Sequence, residues 1–161
     1  KVLNSTTKGA VYGEGATFFV LENEKKSTTY AQVLDVEIIN KLDVNEVESK
    51  MMSFLEVNKL QVSDVNAIIL GLNGDVEYDT YYKKLSENSF KNVPQAYYKQ
   101  LSGEYNTASA FGLWVGAKII KTQEIPEIIS VNNLGKSAYK TILLYNQYKG
   151  IDHSFTLISK C

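Results

Sequence analysis

Between Lys99 and Pro126 the chain reads K-Q-L-S-G-E-Y-N-T-A-S-A-F-G-L-W-V-G-A-K-I-I-K-T-Q-E-I-P, and no other stretch restricts the possible folds as much. Small residues (Thr107, Ala108, Ser109, Ala110, Gly112, Gly116, Ala117) alternate with large apolar ones (Phe111, Leu113, Trp114, Val115, Ile119, Ile120). Between Tyr105 and Ala117 no side chain carries charge, so no solvated face is expected there. The pattern predicts a buried helix that opens after a turn at Ser102-Gly103 and stops by Pro126. Its small residues let neighbouring backbones approach closely. The first amides of such a helix lack intrahelical partners, which makes its N-terminus a place for a polar site.

The chain has 161 residues, enough for one domain with its own core. Apolar residues make up 44% and charged residues 22%, an ordinary globular composition. A net charge of -1 gives no electrostatic case for binding nucleic acid or an anionic membrane surface. All 17 basic residues are lysine, so the planar two-pronged grip of arginine on a phosphate or carboxylate is not available. The single cysteine, Cys161, excludes an internal disulfide and suits a cytoplasmic protein. No apolar run approaches the roughly 20 residues of a membrane span, and no signal peptide is recognised. A first residue that is not methionine suggests a piece of a longer protein.

Residues 1–8 are polar and read as a frayed end. Ala16–Leu21 is apolar and β-rich, and Thr29–Ile39 alternates, so two strands joined as a hairpin across a charged turn are expected. Asp43 followed by Glu46 has the pattern of a capping box opening a helix with Val47, Met51, Phe54 and Leu55 on one face. Ala67–Leu70 is a short, fully apolar strand of the buried parallel kind. It runs into Gly71-Leu72-Asn73-Gly74-Asp75. A helix over Val76–Asn88 follows, then an extended piece at Pro94–Tyr98, the central helix, a connection or short strand over 128–133, and strands at Thr141–Tyr148 and Ser154–Ser159. The order predicts an α/β fold with a mixed sheet packed with helices, in a single domain. In such folds ligands sit at strand C-termini and helix N-termini. That selects the loops 71–75 and 99–105, with 148–153 as a third candidate.

Several of these segments carry a resemblance. Gly9–Glu22, reading G-A-V-Y-G-E-G-A-T-F-F-V-L-E, is similar to the G-x-x-x-G-E-G-A segment and following strand of the β-ketoacyl synthases of fatty-acid and polyketide synthesis. K-Q-L-S-G-E-Y-N-T-A-S-A-F-G-L resembles their K-S-x-x-G-H-x-x-G-A segment. A-I-I-L-G-L-N-G-D stands where they have a strand running into H-G-T-x-T, and G-I-D-H-S-F-T-L-I where they have G-G-T-N-A-x-L-V-F. Order and spacing agree across nearly the whole chain, as the C-terminal half of a thiolase-like fold.

The resemblance implies a cysteine nucleophile from an N-terminal half and two histidines from this one, which steady the negative charge formed when a malonyl thioester loses carbon dioxide. Here the first histidine position is Gly71 and the second is Glu104, while the family's lysine is kept as Lys99. The G-F-G-G loop is replaced by Q-Y-K-G over 147–150. The resemblance therefore implies a degenerate member, like the chain-length-factor subunits that pair with an active ketosynthase and shape the tunnel for the acyl chain. The implied partners are an acyl carrier protein, an active ketosynthase or a second copy, and the acyl chain, with neither cofactor nor metal. The alternatives are an active 3-oxoacyl synthase with rearranged chemistry and a stand-alone binding domain.

No residue is confidently catalytic; the candidates for a vestigial site are Lys99, Glu104, Asn73 and Asp75. Glu104 reads either as a partner of the helix dipole or as a ligand contact. Lys99 reads either as an exposed lysine or as the charge partner of Glu104. Asp75, Glu77 and Asp79 open a helix and compensate its dipole in preference to binding a cation. His153, the only histidine, reads as structural. Tyr78, Tyr81, Tyr82, Tyr97 and Tyr98 read as packing.

Overall fold

The computed structural model describes residues 2–132 and 134–161. Five strands form one mixed sheet in the order β1-β5-β4-β2-β3. They are β1 (Gln32–Asn40), β2 (Ala67–Leu70), β3 (Gln95–Tyr97), β4 (Thr141–Tyr148) and β5 (Asp152–Ser159). β2 is parallel to both β3 and β4, whereas β5 is antiparallel to β4 and β1. Helices α1 (Val47–Val57) and α2 (Thr80–Ser86) belong to one face. The short α3 (Lys99–Ser102) leads into α4 (Ala108–Thr122) on the other.

The period of two along the strands sorts the core into two layers. Ile68, Leu70, Leu143, Tyr145, Phe155 and Leu157 pack with Val47, Met51, Phe54 and Leu55 of α1 and with Tyr82 and Leu85 of α2. Ala67, Ile69, Ile142, Leu144 and Ile158 pack with Ala108, Val115, Ile119 and Ile120 of α4. β2 is buried on both faces, which is why its sequence is continuous Ala-Ile-Ile-Leu without alternation. The glycines of α4 do what their size predicts. A Cβ on Gly112 would stand 2.7 Å from the Tyr98 ring, and one on Gly116 would stand 2.8 Å from Ile158.

The α/β class, the mixed sheet and the buried strand match the reading of the sequence; several local expectations do not. Ala16–Leu21 forms no strand and no hairpin. Phe18, Val20 and Leu21 are 83–90% exposed, and β1 instead pairs along its length with β5. The apolar run has no partner strand among the described residues, while β5 offers β1 an antiparallel register from Gln32 to Asn40, interrupted only between Val33 and Asp35. Asp43 caps no helix: its carboxylate accepts the Asn45 amide at 2.8 Å, and α1 opens at Val47 with no side-chain cap. The reciprocal capping pair lies instead at Gln61 and Asp64.

The predicted helix from Val76 starts only at Thr80, because Asp75 and Asp79 hold the preceding turns. The central helix does open after the turn at Gly103, which sits at φ 74°, but α4 begins only five residues later, and the short α3 precedes the turn. It ends at Thr122, where Gln123 turns left-handed at φ 61°, ahead of Pro126. It is also not buried all round. Trp114 is 41% exposed and stacks on Phe111 on the outer side. The stretch 128–133 is a connection, as one of its two readings has it: the 3-10 turn Glu127–Ile129 runs into it and Ser130 bridges to Ala96; Asn133 lies outside the described residues. The polar N-terminal residues are tied down as well, with the Thr7 carbonyl accepting the Val76 amide and Lys8 pairing with Glu77.

Candidate functional site

The three loops selected from the sequence meet at one end of the sheet. β2 delivers Gly71–Asp75, β3 and α3 deliver Lys99–Glu104, and the β4–β5 hairpin lies beside them. Lys99 and Glu104 form an ion pair at 2.7 Å, with their side chains 0% and 5% exposed. The same carboxylate oxygen, Glu104 Oε2, accepts a second bond from Asn73 Nδ2 at 2.6 Å. The expectation of an exposed lysine is therefore overturned. So is that of a glutamate compensating a helix dipole, because Glu104 precedes the first residue of α4 by four positions.

Asn73 is held in turn by its own loop. Its Oδ1 accepts the Asp75 amide at 3.0 Å, and its backbone amide donates to Asp79 Oδ1 at 3.2 Å. The Gly74 amide donates to the other Asp79 oxygen at 2.9 Å. Asp75 is thus not in the ion-pair cluster; its carboxylate accepts the Glu77 amide. Asp79 does stand at the N-terminus of α2, as the dipole reading expects, but its carboxylate turns back to hold the Asn73 and Gly74 amides, while Asp75 lies four residues ahead of the helix N-cap. Burial pushes the Asp79 pKa up, against the Asn73 and Gly74 amides that favour the anion. Burial lowers the Lys99 pKa, opposed by Glu104 and then by Asp79.

Gly71 has no room for a side chain. A Cβ there would stand 2.6 Å from both Asn146 Oδ1 and the Tyr82 hydroxyl. Tyr82 is fully buried and its hydroxyl accepts the Gln147 amide at 2.9 Å, so it cannot swing aside. Asn146 Oδ1 accepts from the Tyr98 hydroxyl at 3.0 Å. A cleft of about 340 Å³ opens next to Glu104, bordered by Tyr105, Asn106, Asn146, Tyr148, Ser154 and Ile38.

The His153 ring lies on the opposite sheet face, against Tyr81 and stacked with Tyr145, whose hydroxyl is 3.0 Å from Nδ1. Its Nε2 is buried without a hydrogen-bond partner. Tyr82 and Tyr98 are fully buried, Tyr78, Tyr81 and Tyr97 partly so. Among the described residues no group of His, Cys, Asp and Glu is arranged to hold a metal ion. No helix among them is long and apolar enough to cross a membrane.

Sequence reasoning missed the parts played by Asp79, Asn146 and Tyr98. A signal existed for Asn146, the first polar residue after the apolar run I-L-L-Y. None existed for Asp79, because only the turn geometry aims it back at the loop amides.

No protein-family description matches the sequence, and no curated relative is found. Solved structures do match. The ishigamide ketosynthase/chain length factor superposes with a TM-score of 0.66 at 12% identity, over 82% of this chain and 38% of that one. The chain has a thiolase-like ketosynthase fold. A β-ketoacyl synthase from Burkholderia phymatum gives a TM-score of 0.62 at 12% identity, over 84% of this chain and 38% of that chain. The structure of a type II polyketide synthase acyl carrier protein in complex with its ketosynthase, bound to the hexaketide, gives 0.60 at 17% identity, over 82% and 39%. The thiolase-like chain described here spans about two fifths of the length of these proteins.

Proposed function

We propose that this chain belongs to a non-catalytic, ketosynthase-like subunit of fatty-acid or polyketide assembly. It pairs with an active ketosynthase and helps to shape the tunnel that takes the acyl chain from its carrier protein. The observation that carries this reading is the state of the two positions where the sequence resemblance expects histidines. At Gly71 the Tyr82 hydroxyl and Asn146 leave no space for an imidazole. At Glu104 a carboxylate is locked onto Lys99 and Asn73. Decarboxylative condensation needs donors aimed at a developing enolate. A buried anion in their place repels that charge.

The surface supports a partner. On the α4 side of the sheet the strand face beyond the helix is uncovered, with Val36 49% and Ile38 78% exposed, and on α4 itself Trp114 is 41% exposed. Large apolar side chains exposed on one side of a sheet favour a contact surface there. The test has two arms. Incubated alone with malonyl-carrier protein, the chain is expected to release no carbon dioxide above the rate without protein. Decarboxylation by the chain alone would overturn the proposal and favour an active synthase with altered residues. Mixed with a ketosynthase, it is expected to co-elute in size exclusion and to change the length of the product. Ile38→Lys combined with Trp114→Glu should abolish co-elution while leaving the thermal midpoint of the chain alone unchanged. A chain that elutes as a monomer beside every ketosynthase tried would favour a stand-alone binding domain.

A further inference from the structure

The G-x-x-x-G-E-G run near the N-terminus has an unexpected structural use. Val11–Gly13 lies alongside Glu104 as an isolated parallel bridge. The Glu104 amide donates to the Val11 carbonyl at 2.9 Å, and the Gly13 amide donates to the Glu104 carbonyl at 3.1 Å. The two backbones touch because both contact residues are glycine. A Cβ on Gly13 would collide with the Ser102 carbonyl oxygen, and one on Gly103 would stand 2.6 Å from the Gly13 nitrogen. Gly103 also sits at φ 74°, where only glycine is unstrained. Two residues further on, a Cβ on Gly15 would stand 2.8 Å from the Tyr105 hydroxyl. Glu104 therefore has two attachments. Its backbone holds the N-terminal segment, and its side chain holds Lys99 and Asn73.

We propose that the Gly13–Gly103 contact is a backbone clasp that positions the Glu104 carboxylate on Lys99, so that the N-terminal segment and the buried ion pair open and close as one unit. Gly13 is a positioning residue in this arrangement. The apolar run Phe18–Leu21 begins five residues after Gly13, and Phe18, Val20 and Leu21 are exposed. Whatever engages that run is thereby felt at Lys99. The inference does not depend on the partner proposed above, since it concerns contacts within this chain.

Coupling of this kind is reciprocal, which gives two independent readouts. The first is the rate at which a small amine-reactive reagent modifies Lys99, resolved by mass spectrometry. In the wild-type chain Lys99 reacts only through rare local opening. Gly13→Ala is expected to raise that rate about tenfold, within the usual range of coupling between sites. Val65→Ala, in the core cluster of the other sheet face and matched for loss of urea midpoint, serves as the control for general destabilisation. The second readout is hydrogen exchange of the Gly13 amide, which is expected to accelerate by a similar factor in Glu104→Gln. The Thr29 amide, bonded to Lys26 in a separate turn, should not change. Equal Lys99 rates in Gly13→Ala and Val65→Ala would overturn the proposal. Should Gly13→Ala fail to fold, Glu104→Gln carries the test, and an unchanged Gly13 exchange rate would overturn it.

Discussion

Removing the Glu104 side chain should strand a charge inside the protein. In Glu104→Ala, Lys99 remains 2% exposed with its main acceptor gone, and Asn73 Nδ2 loses its bond as well. Breaking a buried pair from one side costs about 3–5 kcal/mol, because the remaining charge is neither solvated nor paired. Against a typical domain stability of about 5–15 kcal/mol, that is a large fraction of the total. Urea unfolding followed by far-ultraviolet circular dichroism reads the loss as a lower midpoint at unchanged slope.

The dependence on pH identifies the cause. Burial already places the folded Lys99 pKa below its usual value of 10.5. The unfolded chain therefore holds this proton more tightly, and stability rises with pH in the alkaline range. Without Glu104 the folded pKa falls further, so the rise begins at a lower pH and the deficit relative to wild type shrinks as pH increases. The double variant Lys99→Met/Glu104→Leu removes both charges. It should recover to within about 2 kcal/mol of wild type, the remainder being the lost acceptor of Asn73. A Glu104→Ala chain within about 1 kcal/mol of wild type, or a deficit independent of pH, would refute the reasoning.

Two further outcomes are expected. His153 is buried, which lowers its pKa from 6.5 against the opposing influence of the Gly150 carbonyl and Asp152. The unfolded chain binds this proton first, so stability should fall as pH drops below about 6.5; midpoints between pH 5 and 8 should show a component of this slope that disappears in His153→Gln. Gly112→Ala gains about 1 kcal/mol of helix propensity but drives a Cβ to 2.7 Å from the buried Tyr98 ring and 3.1 Å from Leu144. Overpacking of about 1–3 kcal/mol should outweigh the gain, so the thermal midpoint falls; a rise would mean that α4 has more freedom to shift than its packing suggests.

Much of the fold was legible because apolar periodicity reports burial directly. Ala67–Leu70 is a short run with no polar position, and only a strand covered on both faces has that need. The glycines within the central helix announced close packing, and Tyr98 and Ile158 occupy the space they leave. The same signal misled at Ala16–Leu21. An apolar run states that a segment can be covered but not where its partner lies, and β1 found a better register on β5. Helix boundaries failed for a related reason. Asp43 looks like a capping residue and Asp75 and Asp79 look like dipole partners in the sequence, yet in the structure the side chain of each bonds a loop amide. Propensity alone does not rank these local alternatives.

The candidate site divides along the same line. The sequence by itself placed Lys99, Glu104 and Asn73 on loops at the ends of neighbouring elements, and it left open whether they met. It determined that no imidazole stands at Gly71 or Glu104. Tertiary structure alone decided what fills those positions. The parallel alignment of β2 with β3 brings the two loops side by side. Burial then removes the water that would otherwise separate the charges, and a single carboxylate oxygen takes both donors. Spacing along a chain can nominate charged residues, but the loss of solvent around them, which sets the strength of their pairing, exists only once the chain has folded.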